Sequence, residues 1–350
     1  MKIKRVEKKE EKGSITLFVL IAMLFFVILG VAIFYAISNK QATQIQANQK
    51  NKEEYGKDLN QINSIYEETY EKTQNTLPVP PELEGKIPEG FYYVGGTKEE
   101  GLVISDIQGD NLDNAKGGNQ FVWIPVDGTK VKYERQDFGK QSGSYSDYSE
   151  TLDNTLKTSV ETNKGFYIGR FEAGNSSNTA RTSSDKTNIT DKVVSKKNNS
   201  VYNFVTRDQA KELAEGMYPG KSKLVNSYAW DAVMNYVEDE NHNIRTDSTS
   251  WGNYSNVAIK DDAGNEIKPI DTSKLLNAGV SKQTMQKNIY DLAGNTWEWT
   301  TEESDLADYP CVVRGGVFYD NGSNYPASRR AGGSASGSFS SYAFRVVLYL

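Results

Sequence analysis

We predict a mixed α+β domain that is carried on an N-terminal transmembrane helix and a helical stalk. Three observations indicate this: an apolar run at 14–37, short β-type runs between residues 91 and 174, and two helical patterns at 206–217 and 227–237 that further strands follow. Short strands and a few helices joined by long polar connections are typical of the α+β class.

The first 37 residues have the pattern of a membrane anchor. Residues 1–13 are short and basic, and residues 14–37 contain no charged side chain. As a helix, residues 14–37 would span about 36 Å, enough to cross a bilayer. The Lys/Arg excess before this run predicts a cytoplasmic N-terminus and an extracytoplasmic, cell-surface domain. A cleaved signal peptide is the alternative, but its apolar region would be shorter.

Two segments separate the anchor from the domain. The polar segment 38–77 carries three apolar side chains at helical spacing: Leu59, Ile62 and Tyr66. This predicts a helical stalk with a narrow apolar seam, which either self-associates or stays a solvated helix. Four prolines within 78–90 predict a stiff spacer, so the domain should occupy residues 91–350.

The domain should contain four early strands, then two helices, then further strands. The early strands are predicted at 91–95, 102–107, 121–126 and 165–174. Thr206 and Gln209 form a capping box at the start of the first helix, whose buried face comprises Ala210, Leu213, Ala214 and Met217. Ser227 is the expected N-cap of the second helix, whose buried face comprises Trp230, Val233, Met234 and Val237. In the last strand, one face should consist of Phe344, Val346, Leu348 and Leu350.

The composition excludes several classes of function. A net charge of −6 and the lack of a basic stripe argue against a nucleic-acid partner. The chain has one cysteine, Cys311, and one histidine, His242, so no intrachain disulfide is possible. Zinc, copper and iron sites depend mainly on these residue types, and we expect none of these metals. The polar stretch around His242 is typical of a solvated loop.

The most specific motif is DLAGNTWEWT at 291–300, which is followed by RGG at 314–316 and by Phe344-Arg345 near the end. Trp251-Gly252-Asn253 and FVWIPV at 121–126 add to it. Together these motifs resemble the formylglycine-generating (sulfatase-modifying factor) family over about residues 119–350. The resemblance implies the C-type lectin-like fold of that family.

The DLAGNTWEWT motif also suggests a calcium site. Carboxylates on either side of a Gly-Asn turn, together with backbone carbonyls, are oxygen ligands of the kind that calcium prefers. The resemblance implies a calcium ion bound by four groups: the side chain of Asp291, the carbonyls of Gly294 and Thr296, and the carboxylate of Glu298. The alternative is that Glu298 pairs with Arg314 or Arg345.

The resemblance also implies where catalytic residues would lie. Oxidising members of the family bind copper through two cysteines after the RGG, and the corresponding positions here are Asp320 and Tyr325. Copper–thiolate chemistry requires thiolates. Iron-dependent relatives need several histidines, which this chain lacks. We therefore expect that the protein is not an enzyme.

The segment 319–342 has the Tyr, Ser, Gly and Asn content of antibody-like binding surfaces. It also resembles the variable region of proteins that diversity-generating retroelements diversify, which end in a similar FR-containing strand. The predicted ligand contacts are Phe318, Tyr319, Asp320, Asn321, Ser323, Asn324, Tyr325, Ser336, Ser338, Phe339, Ser340 and Tyr342. The predicted ligand is an extracellular protein or glycan. A flexible linker is the alternative interpretation of this segment.

Two other functions stay open at this point. The first is a formylglycine-generating-type oxidase with altered chemistry. The second is a passive structural subunit, because KGSITLF at 12–18 resembles the start of a type IV pilin-like precursor. Phe18, however, stands where that family has glutamate.

Overall fold

A computed structural model of the chain describes residues 77–350 and, before them, only Leu29. Almost all of the predicted tail, anchor and stalk therefore lies outside the described residues. Within the described part, no helix combines the length and the apolar character needed to cross a membrane.

The domain is built from short strands and three α-helices within residues 77–350. The strands of its first half are β1 Tyr92–Gly95, β2 Val103–Ser105, β3 Gln120–Pro125, β4 Tyr148–Ser149, β5 Gly165–Gly169, β6 Gly174–Asn175, β7 Val193–Val194 and β8 Ser222–Leu224. Those of its second half are β9 Ile259–Lys260, β10 Glu266–Lys268, β11 Met285–Gln286, β12 Ile289–Tyr290, β13 Trp297–Ser304, β14 Cys311–Arg314, β15 Arg330–Gly333, β16 Tyr342–Phe344 and β17 Val346–Leu348. The helices are α1 Asn154–Asn163, α2 Arg207–Met217 and α3 Ser227–Val237. The predicted mixed α/β character is confirmed.

Two sheets organise these strands. The larger sheet is antiparallel and has the order β1-β2-β3-β5-β17-β8. The second has the order β15-β14-β13-β16, with β4 also paired to β13, and β16 runs parallel to β13. The three remaining strand pairs are β6-β7, β9-β10 and β11-β12. Because β16 and β17 are separated only by Arg345, the chain passes directly from one sheet to the other.

The larger sheet has a hydrophobic core on each face. Val122 and Ile124 of β3 pack with α3 in one core, whereas Phe121 and Trp123 of the same strand pack with α2 and β13 in the other. This division follows from the alternation of side chains along a strand. The second sheet therefore covers the face of the large sheet that α2 also covers.

The helices largely follow the sequence predictions. The capping box of Thr206 and Gln209 is present at the start of α2. The N-cap of α3 is Asn226 rather than the predicted Ser227, because the Asn226 side chain accepts a hydrogen bond from the Ala229 amide at 2.8 Å. Helix α1 was not predicted; the Asp153 side chain caps it.

The final strand differs from the prediction. The residues that alternate with the predicted apolar face, Val347 and Tyr349, are also buried, whereas Leu350 is 37% exposed. The reason is that β17 lies between β5 and β8 and is covered on both faces, so its side chains need not alternate in polarity.

The segment predicted as a spacer packs on the domain. Leu83 is completely buried in the core that contains α2. The Tyr167 hydroxyl donates to the Lys86 carbonyl at 3.1 Å, and the Lys86 ammonium lies 5.3 Å from the centre of the Trp123 ring. Residues of the predicted spacer therefore contribute contacts to the core of the domain that follows them.

Leu83 should therefore contribute to the stability of the domain. We expect Leu83→Ala to lower the free energy of unfolding by about 2–5 kcal/mol, because it leaves a cavity in a packed core. Val79→Ala is the matched control, since Val79 is 43% exposed; it should change stability by less than about 0.5 kcal/mol. Urea unfolding of the full chain, followed by tryptophan fluorescence, measures both. Equal effects of the two changes would show that 78–90 is a spacer after all.

Candidate functional site

Two buried arginines connect the segment 318–342 to the core. Arg314 of β14 lies opposite Arg330 of β15. Arg314 donates to Asp231 at 2.7 Å and to Glu302 at 3.3 Å, and Arg330 donates to Glu302 at 2.8 Å and also to Asp231. Arg135 donates to Glu302 at 2.7 Å. Because Arg314 and Arg330 share both carboxylates, β14, β15, β13 and α3 are held in one arrangement.

A third buried arginine holds the far end of the same segment. The Arg345 Nε lies 3.0 and 3.1 Å from the two Glu298 carboxylate oxygens, and its Nη2 lies 2.6 Å from one of them. Its remaining donors bind the carbonyls of Gly169 at 3.0 Å and Tyr290 at 2.9 Å. The pairing of Glu298 with Arg345, one of the alternatives stated above, is thus present.

Three buried carboxylates surround this arginine. Burial raises the pKa values of Asp291 and Glu298, and burial together with the charges of those two raises the pKa of Glu172 well above its usual range. Asp291 accepts hydrogen bonds from Thr284 Oγ1 at 2.6 Å and from the Gly279 amide at 2.7 Å. One guanidinium cannot balance three carboxylates, so a divalent cation fits the charge of this cluster.

The ligand set predicted for calcium fits this charge but only part of the geometry. Glu298 is occupied by Arg345, and within residues 77–350 no set of three or more His, Cys, Asp or Glu side chains is arranged to hold a metal ion. The predicted set relies on only two carboxylates, Asp291 and Glu298, and takes its other oxygens from the Gly294 and Thr296 carbonyls. Gly294 has a φ of +71°, which favours glycine and turns the backbone at this point. Calcium stays a prediction.

The two tryptophans of the WEW motif, Trp297 and Trp299, pack against two of the predicted ligand contacts. The Trp297 ring lies 5.5 Å from Tyr325, and the Trp299 ring lies 4.9 Å from Tyr342, both edge to face. Tyr342 in turn contacts Phe339 at 5.2 Å. Alternation along β13 places these tryptophans on one side of the strand and Glu298 on the other. The tryptophans of the motif therefore support predicted ligand contacts, while its glutamate pairs with Arg345 in the core.

The twelve predicted ligand contacts divide into three groups by exposure. Six are exposed: Tyr319, Ser323, Asn324, Ser336, Phe339 and Ser340. Five are half-buried: Phe318, Asp320, Asn321, Tyr325 and Tyr342. Ser338 is only 4% exposed, so its hydroxyl does not lie on the surface. The structure thus brings eleven of the twelve to at least partial exposure near the C-terminus.

This segment is bonded to the rest of the domain along its length. The Phe318 amide donates to the Asn295 carbonyl at 3.1 Å, and the Ser328 amide donates to the Ile244 carbonyl at 3.1 Å. Further along, the Phe339 carbonyl accepts from the Phe204 amide at 3.1 Å. Such bonds, together with β15, are not what a flexible linker would show.

Asp320 and Tyr325 stand at the positions that the resemblance assigns to catalytic cysteines. Their backbone carbonyls accept hydrogen bonds that hold the segment to the domain. The Asp320 carbonyl accepts from the Ser255 amide at 2.8 Å, and the Tyr325 carbonyl accepts from the Tyr254 hydroxyl at 2.8 Å. Cys311 is 1% exposed in β14, and burial raises its pKa, which disfavours a reactive thiolate. His242 lies in a loop and contacts Asp239 at 2.6 Å.

Sequence reasoning did not identify Glu172, Asp231 or Glu302 as members of these clusters. Their partners lie far away in sequence; Asp231 and Arg330, for example, are 99 positions apart. The one available signal was the presence of an aspartate within the apolar face of α3, since a buried charge requires a partner.

Residues 200–350 match the family described as Sulfatase-modifying factor enzyme 1-like domain. No curated protein matches the chain. Among solved structures, Treponema denticola variable protein 1 is similar at 17% identity and a TM-score of 0.27, over 37% of this chain and 48% of that one. The chain thus spans about half the length of that protein. The structure of CarF is similar at 13% identity and a TM-score of 0.36, over 66% of this chain and 98% of that one. The resemblance of DLAGNTWEWT, RGG and the terminal FR to the sulfatase-modifying-factor family is confirmed, because all three motifs lie within residues 200–350, the part of the chain that matches the family.

Proposed function

We propose that this protein binds a ligand through its C-terminal face and displays that face outside the cell. The observation that carries the proposal is the exposure of Tyr319 and Phe339, at 45% and 49%, on a segment that is otherwise bonded to the domain. Large exposed aromatic side chains on a fixed framework are typical of recognition surfaces.

The framework explains why such a surface would bind well. Tyr325 and Tyr342 are packed against Trp297 and Trp299, so their conformations are fixed before a ligand arrives. Pre-organised contact residues reduce the entropy that is lost on binding. The small polar residues between the aromatics, such as Ser323 and Asn324, supply hydrogen bonds that adapt to different partners.

Display outside the cell rests on the N-terminal sequence. The uncharged run 14–37 and the basic residues before it support a single-pass anchor with a cytoplasmic N-terminus. Under this proposal the segment 38–77 raises the domain above the membrane. The domain would then meet extracellular proteins or glycans.

We further propose that the exposed positions vary between copies of the gene, as diversification by a retroelement would produce. Substitutions should concentrate at the six exposed contacts named above, because exposed side chains change stability by less than about 0.5 kcal/mol. Ser338, Arg330 and Arg345, which are buried, should stay fixed. Deep sequencing of the last forty or so codons across a population and its close kin measures this. A segment as invariant as its flanks would contradict diversification and leave a single fixed ligand to identify.

A non-catalytic role also predicts a negative result in an oxidase assay. With a cysteine-containing peptide, a thiol reductant and copper, the full chain should consume oxygen no faster than a Cys311→Ser variant does. The reason is that Cys311 is its one cysteine and is buried. Oxygen consumption by the parent alone, measured with an oxygen electrode, would instead favour an oxidase with altered chemistry.

Calcium is proposed as a structural ion in the cluster around Asp291. We expect calcium to raise the melting temperature relative to chelator, because at 100 times its dissociation constant a ligand adds about 2.7 kcal/mol to stability. Asp291→Ala should abolish the response, whereas Asp262→Ala should keep it, since Asp262 pairs with Lys197 and is not in the predicted ligand set. Glu298→Ala is less informative because it also leaves Arg345 buried without its partner. The same melting temperature in calcium and in chelator would contradict the site.

A further inference from the structure

Of the large apolar side chains that are exposed outside the segment of predicted ligand contacts, two lie together in one turn. Leu306 and Tyr309, at 47% and 52% exposed, lie in the turn 305–309 between β13 and β14. Their exposure equals that of Tyr319 and Phe339 on the predicted face. Exposed apolar side chains that cluster, unlike scattered ones, indicate an interaction surface.

The turn 305–309 lies against β15. A Cβ atom added at Gly332 would lie 2.8 Å from the Tyr309 Cβ and 3.5 Å from the Leu306 Cδ1, and one added at Gly333 would lie 2.6 Å from the Trp299 ring. Both glycines therefore permit a close approach, on opposite sides of the strand. The edge of β15 carries no side chains at these two positions.

Most of this edge of β15 is also free of hydrogen-bond partners; the exception is at Arg330, whose carbonyl accepts from the Tyr148 hydroxyl at 3.4 Å. In the part of the chain that the structure describes, β15 is the last strand of its sheet and pairs only with β14. Apart from that pairing, the backbone groups of Ala331, Gly332 and Gly333 have no hydrogen-bond partner within residues 77–350. A free edge presents N–H and C=O groups that an extended polypeptide can pair with.

The turn and the predicted face meet at β15. Gly332 of this strand lies against Leu306 and Tyr309, and Gly333 lies against the Trp299 ring. Tyr342 in turn packs on Trp299, the ring that lies beneath Gly333. Contact therefore continues from the turn, across β15, to the half-buried and exposed aromatics of the predicted face.

We propose that the ligand is an extended polypeptide that adds as a strand to the free edge of β15 and packs its apolar side chains on Leu306 and Tyr309. This rests on the proposed ligand-binding function and selects a protein over a glycan. Only a polypeptide carries main-chain donors and acceptors at the spacing of a strand edge. The exposed carboxylates of Asp305 and Asp308 favour peptides with lysine or arginine at the matching end.

The test begins with a phage-displayed library of linear peptides, selected on the full chain, and a glycan array that is probed in parallel. We expect the library to yield binders that lose at least about tenfold in affinity when Leu306→Ser and Tyr309→Ser are combined. Val79→Ser is the matched control, since it removes an equally exposed apolar side chain at the N-terminal start of the domain. Unchanged melting temperatures would show that the variants are folded.

A second measurement tests strand addition itself. A selected peptide is resynthesised with N-methyl groups on alternate residues, in the two possible frames. One frame should abolish binding, because its amides face β15, whereas the other should retain it.

Three outcomes overturn the inference. If binding tolerates both N-methyl frames and the turn variants, but fails with Tyr319→Ser and Phe339→Ser, the polypeptide does not add to β15 and the proposed function stands. If the chain binds glycans and no peptide, the polypeptide inference is likewise overturned and the proposed ligand-binding function stands. A chain that selects neither peptides nor glycans contradicts both the inference and the proposed function.

Discussion

The C-terminal part of this protein depends on one buried network of charges. Arg314 and Arg330 share the carboxylates of Asp231 and Glu302, and all four side chains are inaccessible to solvent. Burying charges is costly, and removing one partner of such a pair typically costs about 3–5 kcal/mol because the other is left unpaired. We infer that the network does less to add stability than to specify one arrangement: Arg330 cannot keep both partners if β15 shifts relative to α3, and Arg314 cannot do so if β14 shifts.

The second buried cluster has a different balance. Arg345 pairs with Glu298, but Glu172 and Asp291 lie in the same environment without a second guanidinium, and burial raises the pKa of each. The hydrogen bonds from Thr284 and from the Gly279 amide stabilise charge on Asp291 only in part. A cluster with excess negative charge has to take up either protons or a cation, and the first network needs neither.

Much of the fold could be predicted from local sequence patterns. The capping box at Thr206, the buried face of α3 and the strand predicted at 121–126 follow from signals within a few residues of each element. Helix α1 was missed because its pattern is weakly apolar; Val160 is its one buried side chain. The pairing of Glu298 with Arg345 was among the stated alternatives, but the partners of Arg314 and Arg330 and the burial of β17 on both faces could not be predicted, since they depend on residues that only the tertiary fold brings together. The free edge of β15 is of the same kind, because nothing in Ala331-Gly332-Gly333 indicates which strands it pairs with.

The alternation along β13 explains how one segment can combine a fixed fold with a changeable surface. Trp297 and Trp299 support the aromatics of the face, and Glu298 between them points to Arg345 in the core. The six exposed contacts take part in neither charged cluster. Changing them alters what a ligand meets but leaves the buried pairs intact.

A position such as Ser338 lies within the same segment but is buried, and a larger side chain there would have to displace its neighbours. Burial, rather than place in the sequence, therefore decides which positions of this segment are free to change.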